Sequence, residues 1–345
     1  MRILPEAPIY TLLYDKNKTL GRFEGRVRAT SFIDRNFVRN HHRLFLPLMP
    51  FAAKSLNLGS EYDLIISDTA GYGKGITYNP KTTKHISYVH TPLRYAWETK
   101  DYVEMKFGEK FGGLASAIVS PVAWYLRVWD KWAGERPNIL IANSKFIAKK
   151  IKDYYGREAN VIYPPVDENK FFYDKQIIPQ DHYLAVGRLL HYKRFDLIID
   201  SFKLNKKRLL IVGDGPEGES LRKRAAGFAN ITFQSFVDSD LALRRIYSEA
   251  KALIFPHVED FGLVAAEAQA CGLPVVALAK GGVKEIVIQG KTGQFFDSAT
   301  PEALNLAILN FESKNFNREK VGELSQRFSE TKFRADLQQI IKGIE

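Results

Sequence analysis

The segment PHVEDFGLVAAEAQACG occupies positions 256–272 and carries the clearest signature of a fold in this chain. A short apolar run, 252–255, precedes it and ends at the proline, and helix-forming residues follow from Val264. This succession predicts a buried strand, a loop and a helix, the repeating unit of a parallel α/β sheet. We therefore expect Glu259 in the loop and Glu267 two turns into the helix.

The loop before this helix is typical of an anion-binding site. Asp260 is expected to cap the helix, and Gly262 would let a ligand approach the backbone closely. The first N–H groups of the helix would then bind a negative charge. They belong to Phe261, Gly262, Leu263 and Val264. Two flanking carboxylates suit a ligand with phosphates in its middle and sugars at both ends, although an amphipathic helix with surface glutamates would give the same pattern.

The rest of the second half alternates strand and helix patterns, as in a doubly wound parallel sheet. Strands are predicted at 183–186, 209–212, 231–234, 253–255 and 274–277. The first half offers a second α/β unit. Its predicted strands are at 9–14, 64–67, 85–89, 139–142 and 161–163.

The two units are separated by the stiff pair Pro164-Pro165, because proline extends neither a strand ladder nor a helix. We expect an N-terminal domain at 1–168, a C-terminal domain at 169–327 and a terminal helix at 328–345. Two such domains facing each other would bind ligands in a cleft at the carboxyl ends of their strands.

Length and composition fit a two-domain protein of 345 residues. The single cysteine, Cys271, excludes a disulfide framework, and no apolar run approaches the ~20 residues that span a bilayer. No signal peptide is recognisable, so a cytoplasmic protein is expected.

A net charge of +11 attracts phosphate in nucleotides, lipid headgroups or nucleic acids. Because no nucleic-acid-binding motif accompanies it, we expect no nucleic-acid partner.

Two stretches favour an anionic membrane surface as a partner, at the inner face of the cell membrane. The segment 35–43 is basic and the segment 44–51 is apolar. Farther on, aromatic and basic residues alternate: Trp124, Tyr125, Arg127, Trp129, Lys131, Trp132 and Arg136. Ordinary core packing of aromatic residues would explain this pattern equally well.

Cations and a histidine follow two other predicted strands. Arg188 and Lys193 come after the strand at 183–186, where a fixed cation pair can neutralise a diphosphate leaving group. Two solvated surface cations would leave the same pattern. His90 follows the strand at 85–89, where a neutral imidazole can hydrogen-bond a sugar hydroxyl or an acceptor.

The run HVEDFGLVAAEAQACGLPVVALAKGGVKEIV (257–287) resembles the nucleotide-sugar site of family 4 retaining glycosyltransferases, which have the GT-B fold. Four other motifs resemble the same family: YVHTPLRYAWE (88–98), IANSKFIAKKI (141–151), VIYPPVD (161–167) and VGRLLHYKRFDLII (186–199). The resemblance covers nearly the whole chain and leans towards bacterial and archaeal mannosyltransferase-like members. It implies two Rossmann-like domains facing a cleft, with the last helix crossing back onto the first domain.

The resemblance also implies that one part of the N-terminal domain is missing. Family members usually begin with a strand and a Gly-Gly loop that opens the first helix. Here residues 5–15 resemble the second strand region. We therefore expect the N-terminal domain to lack its first βα unit, and this chain to bind its donor normally but to transfer poorly.

Residue roles follow from the same resemblance. Arg188 and Lys193 would stabilise the diphosphate, Glu267 would bind the ribose, Glu259 the donor sugar, and His90 would orient the donor sugar and the acceptor. Contacts to the nucleotide are implied for the turn that begins at Gly213 and for the backbone of Phe236 and Val237. A plain tight turn without a ligand would explain the sequence at Gly213 equally well. Tyr95 and Trp97 would lie on the acceptor side.

These observations predict a retaining glycosyltransferase that moves a hexose, in particular mannose from GDP-mannose, to a lipid-linked or polysaccharide acceptor. We expect no cofactor, because the nucleotide sugar is a substrate, and the resemblance to family 4 implies that the chemistry needs no metal. One alternative is a catalytically weak, nucleotide-sugar-binding partner subunit. A weaker one is an NAD-dependent oxidoreductase, because residues 213–218 fit G-x-G-x-x-G; that fingerprint should, however, open the first βα unit of its domain.

Overall fold

The computed structural model describes residues 3–99 and 109–344. The chain divides into two compact units: unit 1 is Met1–Ile162 with Ile344–Glu345, and unit 2 is Tyr163–Gly343. The division lies a few residues before the predicted end of the N-terminal domain at 168. Within the described residues, no helix combines the length and the apolar character needed to cross a membrane.

Unit 1 contains two parallel sheets. The smaller consists of β1 (Ile9–Thr11) and β2 (Val27–Thr30). The larger consists of β3 (Leu64–Thr69), β4 (Lys84–Val89), β5 (Ile139–Ala142) and β6 (Asn160–Val161), which lie side by side in chain order. The helices of unit 1 are α1 (Asn36–His41), α2 (Met49–Ser55), α3 (Arg94–Trp97), α4 (Glu109–Glu135) and α5 (Lys145–Tyr155).

Unit 2 is built on one six-stranded parallel sheet. Its strands are β7 (Tyr183–Val186), β8 (Leu209–Val212), β9 (Ile231–Gln234), β10 (Ala252–Phe255), β11 (Val275–Leu278) and β12 (Gly293–Phe296). Their spatial order is β9-β8-β7-β10-β11-β12, so the chain runs outward from β7 on one side and then outward from β10 on the other. This is the doubly wound order of Rossmann-like domains, which bind ligands beyond the carboxyl ends of the two central strands.

Helices cover both faces of this sheet. The helices of unit 2 are α6 (Phe195–Asn205), α7 (Gly218–Ala225), α8 (Asp240–Glu249), α9 (Leu263–Ala270), α10 (Val283–Ile286), α11 (Pro301–Glu312), α12 (Arg318–Ser325) and α13 (Glu330–Lys342). Two separate hydrophobic clusters result, one on each face. Every residue of β10 and β11 is buried, which is why both strands read as continuous apolar runs rather than as alternating patterns. The two-unit α/β organisation predicted from the sequence is thus confirmed.

Candidate functional site

The carboxyl ends of β7 and β10 bring a lysine, a glutamate and a histidine together. Lys193 Nζ donates to Glu259 Oε1 over 2.6 Å, and His257 Nε2 lies 3.0 Å from the same oxygen. The side chains of Lys193 and Glu259 are only 10% and 20% exposed. Two of the residues singled out in the sequence are therefore in direct contact, and His257, which the sequence analysis did not single out, is the third member.

The path of the chain after β7 explains how Lys193 reaches this position. Gly187 has a φ of +148°, and a Cβ atom there would lie 3.3 Å from Lys193 Nζ. A short 3-10 turn, His191–Lys193, brings the lysine back over this glycine. The absence of a side chain at position 187 thus leaves room for the lysine to reach Glu259.

Glu259 is held ionised although its side chain is largely shielded from solvent. Burial raises the pKa of this carboxyl, but the hydrogen bond from His257 and the charge of Lys193 outweigh burial, so that the pKa falls to about 2. For His257 the balance differs: burial lowers the pKa of the imidazole, and the carboxylate only partly opposes this effect. At neutral pH the site therefore combines an anionic glutamate with a neutral histidine.

The loop after Glu259 leads into α9, but its cap differs from the prediction. Gly262, with a φ of +107°, occupies the N-cap position and has no side chain that could cap the helix. Asp260 was expected at this position but lies two residues before it, because Gly262 adopts the left-handed conformation that begins the helix. The N–H groups of Leu263 and Val264 have no acceptor one helical turn earlier, so this end of α9 keeps the electropositive character predicted for it.

A glycine pair holds this loop in place. A Cβ atom on Gly281 would lie 2.6 Å from the carbonyl oxygen of Glu259, and one on Gly282 would lie 2.4 Å from that of Asp260. Gly282 N–H also donates to the Glu259 carbonyl over 2.9 Å. The loop that carries Glu259 therefore packs directly against the backbone of these two glycines.

Glu267 lies on α9 in a different environment. Burial raises the pKa of its carboxyl to about 7, although the Tyr247 hydroxyl donates a hydrogen bond to it over 3.2 Å. The structure thus gives the two glutamates of the motif opposite pKa shifts. No contact joins Glu267 to Glu259 in the part of the chain that the structure describes.

The G-x-G turn after β8 packs on the loop that carries Arg188. A Cβ atom on Gly213, whose φ is +143°, would lie 2.0 Å from the carbonyl oxygen of Gly187. A Cβ atom on Gly215 would lie 2.4 Å from that of Leu189. The bond from Leu189 N–H to the Asp214 carbonyl, 2.9 Å long, joins the two loops. Packing of backbone on backbone accounts for both glycines.

Phe236 and Val237 follow β9, as predicted, and the ring of Phe236 is exposed. The backbone N–H of Phe236 donates to Asp214 Oδ2 over 2.7 Å. One of the backbone groups expected to contact a base is therefore already bonded within the protein. Arg188 is exposed, and its guanidinium has no ion-pair or hydrogen-bond partner among residues 3–99 and 109–344.

In unit 1, His90 lies just beyond the carboxyl end of β4 and contacts a residue that the sequence analysis missed. Its Nε2 atom lies 2.5 Å from Asp68 Oδ1, and both side chains are substantially exposed. The backbone of His90 is held by Thr69, whose carbonyl accepts its N–H, and by Asn143, whose amide donates to its carbonyl. A fixed, solvent-accessible histidine–aspartate pair results.

Trp97 packs inside unit 1. Its indole N–H donates to Asp130 Oδ2 over 2.8 Å, and its ring stacks on Tyr154 at a centroid distance of 4.4 Å. Tyr95 is half-buried on the same short helix, α3. These contacts account for Trp97 through packing, and its role on an acceptor side stays a prediction.

Asp130 is the centre of a buried polar network around the segment that follows His90. Lys74 and Asp130 form a fully buried ion pair of 2.6 Å. The same carboxylate accepts hydrogen bonds from Leu93 N–H, over 3.2 Å, and from the Tyr155 hydroxyl, over 2.7 Å, besides the Trp97 indole. This network fixes the backbone on the carboxyl side of His90.

The arrangement of the described residues shows no group of three or more histidine, cysteine or acidic side chains that could hold a metal ion. That the chemistry needs no metal or cofactor stays a prediction.

Comparison with known families covers most of the chain. Residues 10–170 match the family described as Glycosyltransferase Family 4, and residues 170–332 match Glycosyl transferases group 1. An uncharacterized glycosyltransferase of Methanocaldococcus jannaschii is 28% identical over 59% of this chain and 58% of its own length. A D-inositol 3-phosphate glycosyltransferase of Mycobacterium sp. is 33% identical over 46% of this chain and 41% of its own. The matched region thus spans about half the length of these relatives.

Solved structures match more of the chain. HepE of Anabaena in complex with UDP has a TM-score of 0.65 at 18% identity, over 98% of this chain and 92% of its own. Sucrose-phosphate synthase of Thermosynechococcus elongatus has a TM-score of 0.63 at 19% identity, over 91% of this chain and 80% of its own. At such identities the likeness concerns the fold, while the two family matches follow each other along the sequence from 10 to 332. The chain belongs to the family 4 glycosyltransferases, and its two α/β units have the GT-B fold.

Proposed function

We propose that this protein is a retaining glycosyltransferase that moves a hexose from a nucleotide sugar to a sugar-containing acceptor. The observation that carries the proposal is the ionised, half-buried Glu259 at the carboxyl ends of the central strands of unit 2, with Lys193 and the start of α9 beside it. A carboxylate there can bind hydroxyl groups of a sugar, while cations and N–H groups bind phosphates.

The diphosphate would be bound by Arg188, Lys193 and the N–H groups of Leu263 and Val264. Arg188 is exposed and without a described partner, so its fork of N–H donors is available to a phosphate. Lys193 has three N–H donors and uses one on Glu259, which leaves two for the ligand. In a retaining transfer these groups would stabilise the negative charge that develops on the leaving diphosphate.

The nucleoside would lie near Glu267, Phe236 and Val237, with ribose hydroxyls donating to Glu267. Mannose from GDP-mannose is our preferred donor on the basis of the sequence motifs. HepE, which shares the fold, has been solved with UDP and with UDP-glucose. Uridine and guanosine donors should therefore be compared directly.

The decisive experiment incubates the full chain with GDP-mannose, UDP-glucose, UDP-galactose and UDP-N-acetylglucosamine and measures release of the nucleoside diphosphate, with and without lipid-linked or polysaccharide acceptors. We expect one donor to be consumed faster when an acceptor is present. Tight donor binding without turnover would favour the catalytically weak partner subunit instead. Binding of NAD in preference to every nucleotide sugar would contradict the proposal.

On the acceptor side we propose that His90 orients the reacting hydroxyl. The pair that it forms with Asp68 fixes the direction of the ring, because a carboxylate only accepts hydrogen bonds and so requires the proton on Nε2. The Nδ1 atom of a neutral His90 is then an acceptor for a hydroxyl group.

We also propose that unit 1 binds an anionic membrane surface, where a lipid-linked acceptor would be found. Residues 35–60 contain four Lys or Arg and no acidic residue. Large apolar side chains are exposed in and near this segment and on α4: Phe32, Phe37, Leu44, Phe51, Trp124, Val128 and Trp132. Exposed aromatic groups among cations suit the interface of an anionic bilayer.

Co-sedimentation with vesicles tests this surface. Wild-type protein should bind phosphatidylglycerol-containing vesicles and not pure phosphatidylcholine vesicles, and Leu44→Glu or Trp124→Glu should weaken binding about tenfold or more. The matched control is Ile178→Glu, which changes a more exposed apolar side chain in unit 2. Equal loss in all three variants, or equal binding to both kinds of vesicle, would contradict the assignment.

A further inference from the structure

Two donors converge on one oxygen of Glu259. Lys193 Nζ and His257 Nε2 both bond Oε1, at 2.6 Å and 3.0 Å. Within the residues that the structure describes, no hydrogen bond is made to the other oxygen, Oε2. A carboxylate oxygen can accept about two hydrogen bonds, so Oε1 is saturated and Oε2 is left with its full accepting capacity.

The partner of His257 determines its tautomer. An ionised carboxylate only accepts, so Nε2 must carry the proton. The other ring nitrogen, Nδ1, is buried and has no partner among the described residues. A proton on Nδ1 would create a buried N–H without an acceptor, which costs more than leaving a lone pair unused. Both nitrogens therefore favour the neutral imidazole with Nε2–H.

Packing alone does not explain a histidine at this position. The ring stacks on Phe255 at a centroid distance of 4.1 Å, and the side chain is 5% exposed. A phenylalanine would fill the same space without burying a polar atom that lacks a partner. The bond to Glu259 is the one described interaction of this side chain that requires an imidazole.

We infer that His257 is a positioning residue that, together with Lys193, holds Glu259 by Oε1 and so presents Oε2 to a hydroxyl group of the bound hexose. The bond from Nε2 prevents the carboxylate from rotating about its last carbon–carbon bond. The identity of the ligand as a hexose rests on the proposed function. The orientation of Glu259 rests on the geometry of the three side chains.

Two substitutions separate the hydrogen bond from the packing. His257→Phe keeps a ring on Phe255 and removes the donor, whereas His257→Gln keeps an N–H donor near the position of Nε2. His182→Gln is the matched control, because His182 is also a buried histidine of unit 2 and lies just before the amino end of β7, away from the site.

For each variant, kcat and KM are measured with the donor that the wild type uses, and Kd with the nucleoside diphosphate alone. His257→Phe should lower kcat by about tenfold to a hundredfold, the range expected for loss of a hydrogen bond to a charged group. Binding of the nucleoside diphosphate, which lacks the sugar, should change less than about twofold. His257→Gln should recover most of the lost kcat, and His182→Gln should retain wild-type kcat.

A wild-type kcat in His257→Phe would overturn the inference. An equal decrease in kcat in His257→Phe and His257→Gln, together with a parallel loss of nucleoside diphosphate binding, would also overturn it, because a purely structural role gives that result. Melting temperatures of all variants identify any that do not fold.

Nitrogen NMR of the histidine rings in the wild-type protein supplies a second test that needs no activity. The signal of His257, assigned by its absence from either variant, should show a neutral ring with the proton on Nε2 at pH 7. A charged ring, or a proton on Nδ1, would refute the inference. If the wild type neither binds nor consumes any nucleotide sugar, the proposed function fails, while the NMR result still decides whether His257 holds Glu259.

Discussion

At the scale of single residues, the two glutamates of the motif have opposite electrostatic environments. Glu259 has a cation and a histidine beside it and keeps a pKa of about 2, whereas burial raises the pKa of Glu267 to about 7. The sequence identified both residues and their spacing. It did not reveal their partners, because Lys193 and Tyr247 come from other elements whose positions depend on the packing of the whole sheet.

Glu267 should make stability depend on pH. Its pKa in the folded protein exceeds the ordinary value of 4.5, so between pH ~4.5 and ~7 the folded state binds more protons than the unfolded state. Stability contributed by the protonated form is therefore present below this window and is lost as pH rises through it. Glu267→Gln should remove this pH-dependent loss of stability. The free energy of unfolding of the variant minus that of the wild type, measured by urea unfolding, should therefore rise by about 2–3 kcal/mol from pH 5 to pH 8. An equal difference at both pH values would contradict this prediction.

Asp68 should act on catalysis only through His90. Asp68→Ala should lower kcat by about twofold to fivefold, since an exposed hydrogen-bonded pair contributes up to ~1 kcal/mol. In the double variant with His90→Ala, kcat should equal that of His90→Ala alone, because residues that act as a unit are not additive. Multiplicative effects of the two substitutions would mean that Asp68 acts independently. The sequence did not reveal this pair, because it depends on the register in which Asp68 lies beside Tyr88 across β3 and β4.

At the scale of secondary-structure elements, apolar runs located most strands to within a residue or two, and β2 and β12 were missed. The sequence of β12 is GQFF, which has neither an apolar run nor an alternating pattern. Its glycine is required by contact, because a Cβ atom on Gly293 would lie 2.0 Å from the Val275 carbonyl oxygen. Such a requirement comes from the neighbouring strand and is invisible in a single sequence.

Two glycines with positive φ provide a matched test of this kind of backbone packing. Gly213→Ala should cost several times more stability than Gly227→Ala. Both residues have left-handed backbones, at +143° and +82°, but only Gly213 has an atom in contact range of an added Cβ, whereas Gly227 has open space. Gly227→Ala should cost about 1–2 kcal/mol, the usual strain of such a conformation. Similar losses of unfolding free energy for the two variants in urea would show that the backbone strain of a positive φ, and not the contact, determines the cost.

The buried pair of Lys74 and Asp130 joins the short turn Tyr72–Gly75 to α4. Lys74→Met should destabilise unit 1 by about 3–5 kcal/mol, because it leaves the carboxylate buried without its countercharge. All four tryptophans lie in unit 1, at positions 97, 124, 129 and 132, so tryptophan fluorescence during urea unfolding reports this unit directly. As a control, Lys149→Met removes the lysine of an exposed pair with Asp153 and should change stability by less than about 1 kcal/mol.

At the scale of the whole molecule, the two α/β units were predictable because strand and helix patterns alternate along both halves of the chain. The strand order in unit 2 could not be predicted from the sequence, since it depends on which side of β7 the chain returns to after β9. That return creates the point between β7 and β10 where Lys193 and Glu259 meet.

Donor binding should therefore be confined to unit 2. A nucleotide sugar at one hundred times its Kd should stabilise this unit by about 2.7 kcal/mol. Hydrogen exchange on the full chain should show protection in the loops after β7, β9 and β10, with the sheet of unit 1 unchanged. Protection limited to unit 1 would contradict the assignment of the donor site.

The contact of Gly213 with Gly187 has a consequence for engineering and for divergence within the family. The loops after β7 and β8 pack against each other and are hydrogen-bonded through their main chains. A change of length in one loop would therefore displace the other, together with Arg188. Loops joined in this way should tolerate few insertions. Selection for a new donor should instead act on the loop after β9, where the ring of Phe236 is exposed and can be exchanged without disturbing the backbone of its neighbours.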